Sequence, residues 1–395
     1  MADKPDRTVG RQQSVAWDML RSVTADARGT VAEAGTDRLG HVDDLKVALT
    51  AGVILAHCAI TYGGDGSWFY REPGGGVLVA LLDLPLALGA LFGMGLFFFL
   101  AGAFTPPALA RKGRAAFLAG RWLRLGVPLA AFVVLVIPAL HWLVDGATGA
   151  GGSPAPAWRR QAGDLDTGPL WFVGVLLLFS TGYALVVPRD RVLGPPRTVG
   201  AATLVGFAVA VAVTSYLVRI RFRIDSYQLF AAHLWQWPQC LALFVLGLLA
   251  GRSGWLTAIS PGQRRAGTWV LGAGAAGVLA VLVAGRHDLD PFGGGLTWQS
   301  VVVCALEGPL SVSAAVVLTD LFRRRRRGTL SRHLGAWAYG AYVLQAPVLV
   351  AIALALRPTG LPPSVKFLVL LGCGLVACFT LAGALRRLPG ARRVL

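Results

Sequence analysis

The sequence is poor in charge. Asp, Glu, Lys and Arg together make up 14% of its 395 residues, against about 25% in an ordinary soluble domain. Hydrophobic residues reach 55% and the mean hydropathy is +0.61. The deficit argues against the two or three water-soluble domains that length alone would permit. Acidic residues are the scarcer sign, 20 against 37 Lys and Arg, for a net charge of +17. In a soluble protein that excess would point to nucleic acid. Here the basic residues fall between long apolar runs, so no nucleic-acid partner is expected. The charge reads instead as topogenic, facing anionic lipid headgroups. Cysteine is also sparse: Cys58, Cys240, Cys304, Cys373 and Cys378 are an odd set with no C-x-x-C spacing, which excludes a disulfide framework and offers no metal-binding pattern. Residues 1–44 lack the apolar stretch of a cleavable signal peptide. They are expected to form a mostly disordered cytoplasmic tail, with the first apolar run as an uncleaved signal anchor. No internal repeat is evident, which weakens an inverted-repeat transporter reading.

What is abundant is apolar sequence in runs of about 20 residues, the length needed to cross a bilayer. Ten such runs lie near 45–62, 77–104, 125–144, 169–187, 199–218, 227–250, 267–285, 298–321, 335–356 and 364–385. With the N-terminus placed in the cytoplasm, 28 of the 37 Lys and Arg fall on cytoplasmic segments and nine on external ones. That bias predicts an all-α, polytopic transmembrane bundle of about ten spans with both ends inside. The membrane domain is expected over 45–386, followed by a short basic tail at 387–395, in the plasma membrane. Arg219, Arg221 and Arg223 break the charge rule on the external side. The Ala-, Gly-, Arg- and Val-rich, Lys-poor composition suggests a GC-rich bacterial genome.

Two clusters carry candidate chemistry. On the first span, Asp43, Lys46, Thr50, His57 and Thr61 fall within roughly 60° on a helical wheel, one polar stripe on an apolar helix. His57 stands about 18 Å beyond Leu45 at 1.5 Å per residue, near mid-membrane, where an imidazole is costly unless it faces the bundle interior or a wet cavity. It is either a structural histidine bonded to a neighbouring helix or a general base. At the opening of the third span, Arg121 and Arg124 are three apart and share a face, with Arg114 seven residues earlier on nearly the same side. Three guanidinium forks make either a phosphate clamp or an ordinary headgroup anchor. Glu307, near the middle of the eighth span, is a functional candidate or half of a structural pair: it would orient His57, bind an acceptor or pair with an arginine. His233, Trp235 and Gln236 open the sixth span externally, as interfacial anchors or as a surface for a sugar.

Read together, these elements resemble the acyltransferase-3 family of membrane acyltransferases. Asp43, Leu45 and Lys46 match the family's Asp-x-Leu-Arg opening, with Lys for Arg, and His57 stands fourteen residues after the Asp. Phe98-Phe99-Leu100-Ala101-Gly102 is similar to its Phe-Phe-x-x-(Ser/Ala)-Gly element. Arg121, Arg124, Leu125 and Pro128 match its Arg-x-x-Arg element, and Leu170-Trp171-Phe172 its Leu-Trp-Phe segment. Tyr339 through Pro347 resembles its Ser-Tyr-x-x-Tyr-Leu-x-His-x-Pro segment, with Gln345 where a His is common. The resemblance implies transfer of an acyl group, often acetyl, from cytoplasmic acyl-CoA to a hydroxyl of a sugar, glycan or secondary metabolite. His57 would be the base, with Glu307 as a second catalytic candidate. Arg121, Arg124, Arg114 and Lys46 would handle acyl-CoA, Asp43 and Thr50 would support the stripe, and Trp171, His233, Trp235, Gln236 and Gln345 would meet the acceptor. No resident cofactor or metal is implied; acetyl-CoA would be a co-substrate. The alternative is a multi-span transporter or flippase, which would move its substrate without consuming CoA.

Overall fold

The computed structural model describes residues 40–395, apart from positions 65, 75–76, 189–191, 193–198, 225, 227, 287 and 325–328. Most of the expected N-terminal tail, and Arg325 to Arg327 of the basic run, thus lie outside the described residues. Every regular element among the described residues is helical. Ten helices among these residues are long and apolar enough to span a membrane: α1 Gly40–Thr61, α2 Leu81–Lys112, α3 Arg114–Thr148, α4 Ala155–Val186, α5 Ala201–Arg221, α6 Leu234–Ser253, α7 Pro261–Ala284, α8 Trp298–Arg324, α9 His333–Leu356 and α10 Pro363–Leu385. Each matches one of the ten apolar runs. The start of α1, the α2–α3 junction, the start of α9 and the residue after α10 meet around one cavity. This end, hereafter the basic face, carries Lys112, Arg114 and Arg386.

The boundaries near the basic face depart from the sequence reading. Helix α2 runs through Pro106 and Pro107 to Lys112, and α3 starts at Arg114 rather than near 125. A single residue, Gly113 at φ 74°, separates them, in a left-handed conformation that glycine adopts without a Cβ penalty. Helix α4 opens with a short helix, Ala155–Asp164, and after a break continues as its apolar part, Trp171–Val186.

Close packing centres on α2, α6 and α8. Between α2 and α6, a Cβ at Gly102 would strike the Phe244 carbonyl, and one at Gly247 the Phe99 carbonyl. Gly308 on α8 stands likewise against the Ala208 carbonyl of α5. Lipid supplies no hydrophobic force between helices, so small residues that let backbones touch are what hold such crossings. Glutamines add staples: Gln236 donates to the Ala90 carbonyl at 3.0 Å and Gln239 to that of Leu91.

Helix α3 carries two π turns, Trp122–Gly126 and Phe132–Val136, in which Val127 and Ile137 N–H reach back five residues to the Trp122 and Phe132 carbonyls. Each π turn is followed by a proline, Pro128 and Pro138. Proline has no N–H to give the residue four before it, so Pro128 frees the Arg124 carbonyl. Tyr339 of α9 donates its hydroxyl to that carbonyl at 2.8 Å. The next tyrosine on α9, Tyr342, donates to the Pro169 carbonyl at the start of α4. The two tyrosines thereby lock α9 to α3 and α4.

Candidate active site

A cavity of about 470 Å³ opens at the basic face among α1, α2, α3, α4 and α9, within the 300–1,000 Å³ typical of small-molecule sites. Lys46, Lys112, Arg121, Arg124 and Arg386 supply cations to its wall, against a single acidic side chain, Asp43. Burial, with the neighbouring Arg124 and Arg392, pushes Arg386 below the usual arginine range, a sign of crowded positive charge that an anion would relieve. Deeper in, the wall becomes apolar and aromatic. Thr50, Phe97, Leu125, Phe172 and Tyr342 are the innermost lining residues on their helices. Phe97, Phe172 and Tyr342 touch one another with ring centroids 5.1 to 6.1 Å apart, closing the inner end.

The polar stripe of α1 divides at this aromatic layer. Asp43, Lys46 and Thr50 line the cavity, with Lys46 3.2 Å from Asp43. His57 lies beyond it, about 10 Å further along α1 at 1.5 Å per residue. Its Nδ1 is 3.1 Å from Oε1 of Gln345, one turn past Tyr342 on α9. Its ring stacks on Trp68, with centroids 3.9 Å apart and planes 13° from parallel. Thr61, the outer end of the stripe, bonds the His57 carbonyl within the helix.

Trp68 comes from the segment after α1, which folds back into the bundle instead of crossing open solvent. Glu72 N–H donates to the Thr61 carbonyl at 2.8 Å, and Arg71 donates to Gly64 and Gly66 carbonyls at 3.0 Å. Tyr70 donates to Glu72 at 2.9 Å, and Lys366 of α10, almost fully buried, reaches the other carboxylate oxygen at 2.8 Å. Nothing in the sequence singled out Trp68: an aromatic in a Gly- and Asp-containing connector has no helical period to reveal which way it faces. Lys112 and Arg386 were likewise missed, since a basic residue at a helix end reads first as a topogenic charge.

Other candidate residues are placed elsewhere. The π turn that begins after Arg121 removes the common face expected for Arg121 and Arg124. Arg121 reaches Thr105 of α2 at 3.2 Å, while Arg124 lies over the Tyr339 ring of α9 at 5.5 Å. Both still line the cavity, from two directions. Arg114 does not line it; its guanidinium donates to the Val187 carbonyl at 2.8 Å, capping the exposed end of α4. Glu307 sits in a separate cluster, its carboxylate 2.6 Å from the Arg219 guanidinium with both side chains at most 1% exposed, whereas the partner of His57 is Gln345. That pair also accounts for part of the break in the charge rule: Arg219 is inside the bundle, and Arg223 pairs with Asp290 at 2.7 Å. Trp235 lies over Arg219 at 5.2 Å. Gln236 is engaged with α2, as described. Trp171 and His233 do meet, with centroids 5.0 Å apart, and His233 holds a left-handed φ of 46°. Among the described residues, no group of three or more His, Cys, Asp or Glu is arranged to hold a metal ion.

A bundle of ten apolar helices around an internal cavity, cationic at its mouth and aromatic at its floor, defines a multi-span membrane protein. Residues 41–385 match the acyltransferase domain of the acyltransferase-3 family. The chain belongs to that family and is an acyltransferase. No curated protein and no solved structure matches it.

Proposed function

We propose that the protein is a plasma-membrane O-acyltransferase that moves an acyl group, acetyl in the first instance, from cytoplasmic acyl-CoA to a hydroxyl of a sugar, glycan or secondary-metabolite acceptor. The observation that carries this reading is the alignment, along α1, of a cation-ringed cavity with a histidine one aromatic layer beyond its floor. The orientation it requires puts the basic face in the cytoplasm, as the distribution of Lys and Arg favours. The phosphates of acyl-CoA lie at the mouth, against Arg121, Arg124, Lys46, Lys112 and Arg386, where guanidinium forks suit them. The thioester end enters along Thr50, and the Phe97, Phe172 and Tyr342 side chains part to let it pass.

With Gln345 Oε1 accepting from Nδ1–H, the imidazole of His57 carries its proton on Nδ1 and keeps Nε2 free as the base. Nε2 takes the acceptor's hydroxyl proton as the oxygen attacks the thioester carbonyl. A C–O bond forms, the C–S bond breaks, and the departing thiolate takes the proton from His57. Trp68 and Gln345 fix the imidazole on two sides.

The test is the purified, detergent-solubilised protein with radiolabelled acetyl-CoA, beside His57→Ala. Loss of thioester that depends on His57, by hydrolysis or onto a supplied acceptor pool, is expected. Equal turnover by folded His57→Ala protein would overturn the assignment of the base. No binding or turnover of acetyl-CoA or longer acyl-CoAs would overturn the reading as a whole.

A further inference from the structure

Among the described residues, two buried hydrogen-bond donors flank His57 without partners. Gln345 is 0% exposed and its Oε1 faces His57 Nδ1, yet among the described residues its Nε2 amide has no acceptor. The indole Nε1–H of Trp68, whose ring stacks on the imidazole, is also buried and without an acceptor. Leaving a donor unpaired in the bundle costs about 1–3 kcal/mol. Paying that twice beside one catalytic histidine suggests that something on the reaction path accepts from both. The unpartnered atoms of both groups are donors: neither an indole N–H nor an amide NH₂ can accept. What they lack is an acceptor oxygen, which a thioester carbonyl on the reaction path would supply.

We infer that Gln345 Nε2–H and Trp68 Nε1–H form the oxyanion-stabilising pair of the transfer reaction, donating to the thioester carbonyl oxygen as it becomes the tetrahedral oxyanion. This rests on the acyl-transfer reading given above and supplies the catalytic groups it leaves unnamed. When the acceptor oxygen attacks, the carbonyl π pair moves to oxygen, and these two N–H groups receive the charge. When the C–S bond breaks, the pair returns and the hydrogen bonds weaken. Gln345 thus has two functions on one amide: Oε1 sets the imidazole proton on Nδ1, and the NH₂ serves the substrate. Donors fixed in advance work best, because no reorganisation is needed as charge develops. The structure fixes both. Gln345 is on a helix locked by Tyr339 and Tyr342, and Trp68 is on a segment clamped at Thr61, Glu72 and Lys366.

The experiment separates donor loss from loss of shape. Trp68→Phe keeps an aromatic ring against His57 and removes only the N–H. Gln345→Glu keeps an acceptor for Nδ1–H and replaces the NH₂ donor with a carboxylate oxygen. Gln345→His retains one acceptor and one donor on opposite ring nitrogens. Steady-state kinetics are measured with acetyl-CoA for these variants, the unsubstituted protein and His57→Ala in one preparation series. Trp68→Phe and Gln345→Glu should each lower kcat about 10²- to 10³-fold, the effect of removing one oxyanion donor. Their KM for acetyl-CoA should stay within about threefold of the unsubstituted protein, and Gln345→His should recover to within about tenfold of its kcat. Folded Trp68→Phe or Gln345→Glu protein with kcat within threefold of the unsubstituted protein would remove that residue from the pair. A rise in KM with kcat unchanged would make both residues binding groups and overturn the inference. If the unsubstituted protein shows no His57-dependent thioester loss, the acyl-transfer reading fails and this inference with it; if that loss is present and the donor variants match it, only this inference fails.

Discussion

The Arg219–Glu307 pair should behave as a single energetic unit. The two side chains are 2.6 Å apart and at most 1% exposed, on α5 and α8. Ions at such depth have lost their hydration, and mutual attraction only roughly offsets that loss. Removing one partner leaves a buried charge with nothing to balance it and costs about 3–5 kcal/mol. The two single substitutions should not be equal. A carboxyl stripped of its partner can bind a proton and become neutral, whereas a guanidinium cannot. Glu307→Gln should therefore destabilise more than Arg219→Met. The double variant Arg219→Met/Glu307→Leu removes both charges and should recover most of the loss. The assay is thermal unfolding in detergent followed by a thiol-reactive fluorescent dye, since Cys58, Cys240, Cys304 and Cys378 are buried and free. At about 2–4 °C per kcal/mol for chains of 150–250 residues, and less for longer ones, the Glu307→Gln shift should be roughly 5–10 °C. A double variant no better than the worse single would refute the coupling. The same double variant, assayed for His57-dependent thioester loss, decides whether Glu307 has any catalytic part: a structural pair leaves transfer in place.

Other consequences can be measured separately. Arg121→Ala should raise the acetyl-CoA KM about 10- to 100-fold, the worth of a hydrogen bond to a charged group, with kcat within about threefold; Arg114→Ala, which caps α4 instead, should leave KM alone, and equal effects of the two would remove the distinction. Gly247→Val should abolish recovery of monodisperse protein on size-exclusion chromatography, because even a Cβ there strikes the Phe99 backbone; normal recovery would mean α2 and α6 do not cross this closely. Burial first, then the hydrogen bond to Glu72, push Tyr70 up to about 12. Its folded-state value is thus above the unfolded one, so its contribution to stability is complete below about pH 10 and lost as pH rises through 12. Unfolding followed from pH 9 to 12.5 should show that loss, and Tyr70→Phe should flatten it.

Much of the bundle was legible because a bilayer imposes one length on every span, and ten apolar runs of that length are hard to misread. The stripe on α1 was legible for the same reason: polar residues at helical spacing in an apolar run must face inward. What escaped depends on tertiary context. The π turns in α3 leave no trace in the apolar pattern, so regular helical spacing puts Arg121 and Arg124 on one face, whereas the helix turns them towards α2 and α9. Arg114 has the right spacing for a clamp, but a helix end within reach took its guanidinium. Glu307 was open between a catalytic role and a pair with an arginine, and Arg219 was visible only as an exception to the charge rule; the fold joins the two. Trp68 had no periodic signal, and only the fold-back of its segment places it on His57.

Pro128 and Tyr339 belong to distant parts of the chain, yet one orphaned carbonyl, that of Arg124, makes each answer for the other. A lineage that replaces Pro128 with a residue bearing an N–H closes the helix over that carbonyl and relaxes selection on the Tyr339 hydroxyl. A lineage that first loses the hydroxyl leaves the carbonyl stranded. The order of substitution is therefore constrained, and the two positions should change as a pair, proline first.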